Sequence, residues 1–167
     1  MPLVPERLMP WLAPVWRLLP ERMQWWVMWL VTPKYTVGVT GIVFDDVGRV
    51  MLLRHTFRRR YPWGLASGWV KRGEALDAAL HREIAEETSL RVRIQGLFRV
   101  RTDKFHRMVE VVYVCRYVEG TFRPSSEVTE LRWCAPDALP AGVHPHHHPL
   151  LMEAVALTQD PGWRERA

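Results

Sequence analysis

The spacing of apolar residues changes along the chain, and each change predicts an element. Residues 8–32 are apolar but are broken by Pro10, Pro14 and Pro20 and by Arg17, Glu21 and Arg22. That pattern predicts two short helices, the stronger over 21–31, with Pro20 suiting its first turn and Pro33 just past its end. Residues 35–44 are rich in Val, Thr and Ile and predict a buried strand. Asp45-Asp46-Val47-Gly48 reads as a turn, and 49–53 as the partner strand of a hairpin. Residues 63–70 are mixed, with Gly64 and Gly68 loosening the backbone. Leu76, Leu80 and Ile84 recur every four residues and predict a helix over 75–88. Strand-like runs follow at 97–101, 108–117 and 130–134, and a last helix is predicted from near Leu150 to about Thr158. Many strands around one strong helix predict an α+β domain with a mixed sheet.

Composition narrows this reading. A chain of 167 residues, 48% apolar and 25% charged, suits one globular domain rather than disorder. A net charge of +5 and a sequence pI near 9.7 favour anionic partners without choosing among nucleotides, phosphates, nucleic acid and an anionic membrane surface. Cys115 and Cys134 lie in apolar, strand-like runs and read as buried free thiols; no Cys/His array has zinc spacing. The segment before the first strand holds Trp11, Trp16, Trp25, Trp26 and Trp29. No uncharged stretch in it approaches the roughly 20 residues that span a bilayer. Glu6 and the prolines fit a secretory signal poorly. The expected organisation is a Trp-rich helical extension over 1–33, a domain over 34–160 and a tail over 161–167. A cytoplasmic location is expected. The extension would pack on the domain or on a second subunit in a homodimer, with peripheral membrane contact as the alternative.

The chemistry concentrates on one helix. Glu83, Glu86 and Glu87 stand at i, i+3 and i+4 and share a face. Like charges at that spacing destabilise a bare helix by about 0.2–0.5 kcal/mol per pair. Glu86 and Glu87 also sit in the last turn, where the helix dipole disfavours anions. A hard divalent cation bound by carboxylates offsets both effects. Taken alone, the triad reads first as an ordinary solvated helix face. Its surroundings change the reading: Glu74 follows Gly68 across five residues, and Arg82-Glu83 follows Glu74 across seven. A glycine-bearing loop followed by an acidic helix is the layout of a metal-and-phosphate site.

The segment Gly68-x5-Glu74-x7-Arg82-Glu83-Ile84-x-Glu86-Glu87-x-Ser89-Leu90 resembles the Nudix box, G-x5-E-x7-R-E-U-x-E-E-x-G-U with U aliphatic. Every charged position matches, and Ser89 replaces the last glycine. A weaker resemblance extends over residues 35–140. It implies an α/β/α sandwich around a mixed sheet. It also implies that Glu83, Glu86 and Glu87, with a carbonyl of Ser67 or Gly68, bind Mg²⁺ or Mn²⁺, and that Glu74 and Arg82 orient the glutamates. Glu83 or Glu127 would take the proton from the attacking water, with Glu83 ranked first. The implied reaction is hydrolysis of a pyrophosphate bond in a nucleoside diphosphate linked to another moiety. Nucleoside triphosphates, oxidised ones included, are alternative substrates, and a non-catalytic nucleotide-sensing or membrane-docking module is the alternative class.

Three departures bear on the loops. Relatives commonly read Leu-Pro-Gly-Gly where this chain has Leu65-Ala66-Ser67-Gly68. Ser89 costs roughly 1 kcal/mol if its position is left-handed. Lys71 stands where acids are frequent, either on a substrate phosphate or simply exposed. Arg54, Arg58, Arg59 and Arg60 form a basic loop that either clamps phosphates or is solvated, with Arg54 the preferred phosphate contact because it ends a strand, and Arg58 the next. Nucleic acid is not expected as a partner, since no recognition helix or stacking platform is evident. His144, His146, His147 and His148 alternate with prolines and read as a surface loop rather than a metal tract.

Overall fold

Strand β1 (Thr36–Phe44) explains the architecture. Its residues alternate between two cores. Val39 and Val43 join Leu80 and Ile84 on one side, while Ile42 and Phe44 join Leu150, Leu151 and Ala154 on the other. A strand covered on both faces has no polar side to show, which is why β1 is largely apolar without a polar–apolar alternation. Parallel to it lies β6 (Met108–Glu119), in register Gly38↔Glu110 and Val39↔Val111. β5 (Arg91–Asp103) continues the sheet antiparallel to β6. On the other edge, β4 (Ala66–Trp69) pairs with β1, and β2 (Val50–His55) meets β1 through Phe44↔Val50. β2 also pairs with β7 (Val128–Cys134) and with β3 (Trp63–Gly64). One parallel pairing in a seven-stranded sheet makes it mixed.

A computed structural model of the chain describes residues 9–103, 105 and 107–159. The 161–167 tail lies outside them. Helix α3 (Leu76–Thr88) covers one face of the sheet and α4 (His147–Gln159) the other, giving the expected α/β/α layering. α3 sits close: a Cβ on Gly41 would come within 3.2 Å of both Leu80 and Ile84. α4 begins three residues before Leu150, so His147 and His148 belong to its first turn rather than to a loop. Pro149 is compatible with that, because first-turn N–H groups have no intrahelical partner to lose.

The chain divides into the units Met1–Tyr35 and Thr36–Ala167. The first holds α1 (Met9–Leu18), which carries Pro14 internally, and α2 (Glu21–Val31). Gln24 Nε2 donates to the Trp16 and Leu19 carbonyls, both at 3.0 Å, and ties the two helices together. Lys34 reaches back to the Trp29 and Leu30 carbonyls and lies 4.4 Å from the Trp29 ring centroid, closing the end of α2. Trp25, Trp26 and Trp29 are exposed. Among the described residues no helix is long and apolar enough to cross a membrane.

Ser89 ends α3 at φ 61°, ψ 17°, the left-handed conformation, with its N–H on the Ala85 carbonyl. A side chain is strained there, as a glycine would not be. Ser89→Gly is therefore expected to stabilise the fold by up to about 1 kcal/mol, read as a higher urea midpoint at unchanged slope.

Candidate active site

A single guanidinium assembles the site. Arg82 donates through Nε and Nη2 to both oxygens of Glu74, at 2.7 and 2.9 Å. Nη1 donates to Glu83 Oε1 at 2.7 Å and to Glu86 Oε2 at 3.2 Å, and Nη2 also donates to the Trp69 carbonyl at 3.0 Å. Glu74 in turn accepts the Lys71 N–H at 2.9 Å. The end of β4, the loop after it and the last turns of α3 are thereby held in one network. Hydrogen bonds from Arg82, then from the Lys71 backbone, hold the Glu74 carboxyl down at about 2. The Arg82 pKa is raised, first by Glu74 and then by Glu83.

Glu87 lies deeper than its neighbours. It is 5% exposed, and its Oε2 is buried without a partner. Burial, then the Glu83 charge, pushes its carboxyl up to about 8, against weaker opposing pulls from Arg58 and the Ser67 backbone. His55 Nδ1 stands 3.9 Å from Glu87 Oε1, too far for a hydrogen bond. Burial first, then Arg58, brings His55 down to about 4. By distance the two are an ion pair. Both pKa directions instead favour two neutral groups, and two buried, imperfectly bonded side chains are the cheaper arrangement.

Gly68 is needed for space. A Cβ there would lie 1.9 Å from Glu83 Cδ and 2.3 Å from Glu83 Oε1. The strand thus passes directly against the glutamate, and the missing side chain is what admits it. The sequence reading assigned Gly68 to backbone freedom, but its φ is not in the left-handed region.

These groups line a cleft of about 670 Å³. Glu83, Glu86, Glu87 and Glu127 meet there, with Ser67, Gly68, Arg82, Lys71 and Arg58. Glu74 stands behind Arg82. Lys71 is largely exposed, with Nζ 3.9 Å from Glu86 Oε1. Arg58 folds over Gly64, where a Cβ would meet its Nη1 at 2.3 Å, and Nη2 donates to Ser67 Oγ at 3.4 Å. Arg54 is not brought to the cleft. Strand alternation turns it away from His55, and it pairs with Glu130 at 2.6 Å. The preference for Arg54 over Arg58 is thereby reversed. The sequence reading gave no role in this site to several lining residues, among them His55, His147, Glu110, Phe57 and Trp69. Glu110 carried a signal, an acid inside an apolar strand. It accepts the Thr40 hydroxyl at 2.7 Å and pairs with Arg101. His55 and His147 carried none, because their role depends on how β2 and α4 pack. A separate cavity of about 440 Å³, lined by Phe44, Gln95, Arg116 and Met152 among others, contains none of the carboxylates of the triad.

A family model described as NUDIX domain matches residues 34–154, well over half of the chain. The chain belongs to the Nudix hydrolase family. It is 31% identical over 105 residues to a MutT-like protein of Streptomyces ambofaciens, an alignment covering 63% of this chain and 67% of that one. It is 27% identical over 92 residues to the NAD-capped RNA hydrolase NudC of Vibrio vulnificus, covering 54% of this chain and 35% of the longer relative. The Nudix hydrolase structure from Nitrosomonas europaea shares the fold at a TM-score of 0.67, with 22% identity over 75% of this chain and 72% of that one. Nudix hydrolases generally use divalent metal ions, typically Mg²⁺.

The residues of this Nudix cleft fit such an ion. Glu87 offers a buried carboxylate oxygen with nothing bound to it. Arg82 bonds one oxygen each of Glu83 and Glu86, and the other Glu86 oxygen has only Lys71 Nζ near it, at 3.9 Å. Among the described residues, no three His, Cys, Asp or Glu side chains are already gathered as a metal cluster. That also holds for the His144–His148 tract, where His144 stacks on His146 at 5.0 Å.

Two predictions follow from the burial of Glu87 and the closeness of Gly68. The Glu87 pKa of about 8 lies above its ordinary 4.5, so its contribution is full below pH 4.5 and is lost as pH rises through 8. His55, at about 4 against 6.5, contributes fully above 6.5 and loses it as pH falls through 4. From pH 4.5 to 6.5 the two contributions change in opposite directions and offset each other, so the metal-free protein should hold its stability there and lose it between pH 6.5 and 8.5, by on the order of 2 kcal/mol. Chemical denaturation across that range should show the slope flattened in Glu87→Gln. Separately, Gly68→Ala should displace Glu83 and lower turnover by about 10²-fold, while circular dichroism and the thermal midpoint stay near those of the parent.

Proposed function

We propose that the protein hydrolyses the pyrophosphate bond of a nucleoside diphosphate linked to another moiety, in the cytoplasm. Nucleoside monophosphate and the phosphorylated moiety would be the products. The observation that carries this reading is the buried, partnerless Glu87 oxygen beside the Glu83 carboxylate on a helix whose last turn has no basic residue. Such an arrangement is unfavourable for the bare protein and favourable once a cation is present. Glu83, Glu86 and Glu87 would hold Mg²⁺, or Mn²⁺ in its place, with a carbonyl of Ser67 or Gly68. The bound ion would supply charge neutralisation on the phosphates and a more acidic attacking water.

The protein's own groups divide the remaining work. Arg82 and Glu74 fix the glutamates before substrate arrives, so no reorganisation is needed during the reaction. Arg58, which has no acidic partner within bonding distance among the described residues, and Lys71 are available to phosphate oxygens. Trp69 and Phe57 are exposed at the cleft and offer ring faces to a base. The proton of the attacking water requires a free carboxylate. Glu83 is already bonded to Arg82, whereas Glu127 lines the cleft and its carboxylate has no hydrogen-bond or ion-pair partner among the described residues. This favours Glu127 over Glu83 as the base, reversing the order read from the sequence, and leaves Glu83 to the cation.

The reading is tested with a panel of nucleoside diphosphate derivatives and nucleoside triphosphates in Mg²⁺. Turnover of at least one diphosphate derivative is expected, abolished by EDTA and restored by Mg²⁺. Glu87→Gln should lose activity, and Glu127→Gln should lower kcat by about 10²-fold or more with an unchanged Mg²⁺ requirement. Glu83→Gln should instead raise the Mg²⁺ concentration needed. An inert panel, or Glu87→Gln as active as the parent, refutes the enzyme reading. Turnover of triphosphates alone refutes the substrate class.

A further inference from the structure

Beside the glutamate cleft lies another cavity of about 440 Å³, and Arg58 and His147 line both. Its charge is of the opposite sign. The lining contains Arg58, Arg60 and Arg101 and no acidic residue. Arg101 is partly neutralised by Glu110, whereas Arg60 has no acidic partner among the described residues and lies 5.3 Å from the centroid of the Tyr61 ring. One wall is aromatic: Tyr61 meets His144 edge-on at 4.7 Å. At the first residue of α4, His147 Nδ1 is buried and has no partner. Arginines converging on a concave surface, beside an unanswered ring nitrogen, form a site for a compact, multiply charged anion. The lowered pKa of His144, after burial, reflects His146 and then Arg58, Arg101 and Arg60, so the positive field reaches across the cavity.

The position of this cavity matters as much as its charge. A diphosphate lying along the glutamates has Arg58 at the shared wall, and the next anionic group of the same molecule would enter the arginine cavity. We infer that this cavity is a subsite for a further phosphate monoester on the substrate, so that the preferred substrates carry one phosphate beyond the diphosphate that is cut. The inference rests on the pyrophosphohydrolase reading above. A free phosphate ion has the same chemistry, and the experiment separates the two sources.

Matched pairs that differ by one phosphate monoester, NADPH against NADH and coenzyme A against dephospho-coenzyme A, are compared by kcat/KM in the full-length protein with Mg²⁺. At least one pair should favour the phosphorylated member by about tenfold or more, the size of a charge-assisted hydrogen bond or two. In Arg60→Gln that ratio should fall toward one, and in Arg60→Lys it should recover in part. In parallel, inorganic phosphate is titrated into the metal-free protein while the His144 and His146 ring resonances are followed by NMR. They should move in the parent and stay still in Arg60→Gln. Ratios near one in both pairs overturn the substrate subsite, even if free phosphate binds. A ratio that persists in Arg60→Gln also overturns it. If no compound is turned over, the activity reading fails and the titration alone decides. Arg60-dependent shifts then uphold a phosphate site, and their absence overturns it.

Discussion

The site depends on the fork of Arg82. Its nitrogens bind three carboxylates and one backbone carbonyl, which belong to a strand end, a loop and a helix. Bidentate geometry toward Glu74 fixes the plane of the guanidinium, and that plane fixes where Glu83 can lie. A lysine would supply the charge without the plane. The Arg82 and Glu83 side chains are 19% and 17% exposed, so solvent screens this network only in part. Glu83 gains its position from Arg82 on one side and from the absent Cβ of Gly68 on the other.

Around that fork the fold separates charge within a basic protein. The cleft gathers Glu83, Glu86, Glu87, Glu110 and Glu127, whereas the neighbouring cavity is lined by arginines and histidines. Arg58 stands at the boundary. The segregation follows from strand alternation. His55 shares a face with Leu53 and looks toward α3, while Glu110 and Arg101 are cross-strand partners. An acidic cleft without a cation disfavours anionic substrate, and a cation reverses that preference. Affinity for phosphate in the cleft and affinity for metal are therefore linked.

The helical extension follows different physics. α2 buries none of its residues, and its tryptophans are exposed. Its order comes from backbone closure, with Gln24 bonding the turn before it and Lys34 covering its last carbonyls. Such bonds satisfy terminal backbone groups, but an isolated helix shorter than about 12–15 residues is marginal in water without a packed face.

Reading by period works within an element and stops at its ends. The buried strand before Asp45, the helix with its Leu76, Leu80 and Ile84 stripe and the spacing from Gly68 through Glu87 were all legible, because each is a repeat or an interval along one stretch of chain. The same intervals carried the resemblance to the Nudix box and so singled out the glutamate face. α4 starts three residues before the expected position near Leu150, because a first turn tolerates Pro149. What only the tertiary structure decided is which side chains meet that face. Arg58 rather than Arg54 reaches the cleft because alternation along β2 turns Arg54 to Glu130. Glu110 enters because β6 lies parallel to β1 in one particular register. His55 and His147 arrive from elements that nothing near them in the chain connects to the helix. Local spacing determined which residues share the face of that helix. Its surroundings were decided by long-range pairing, which no interval along the chain encodes.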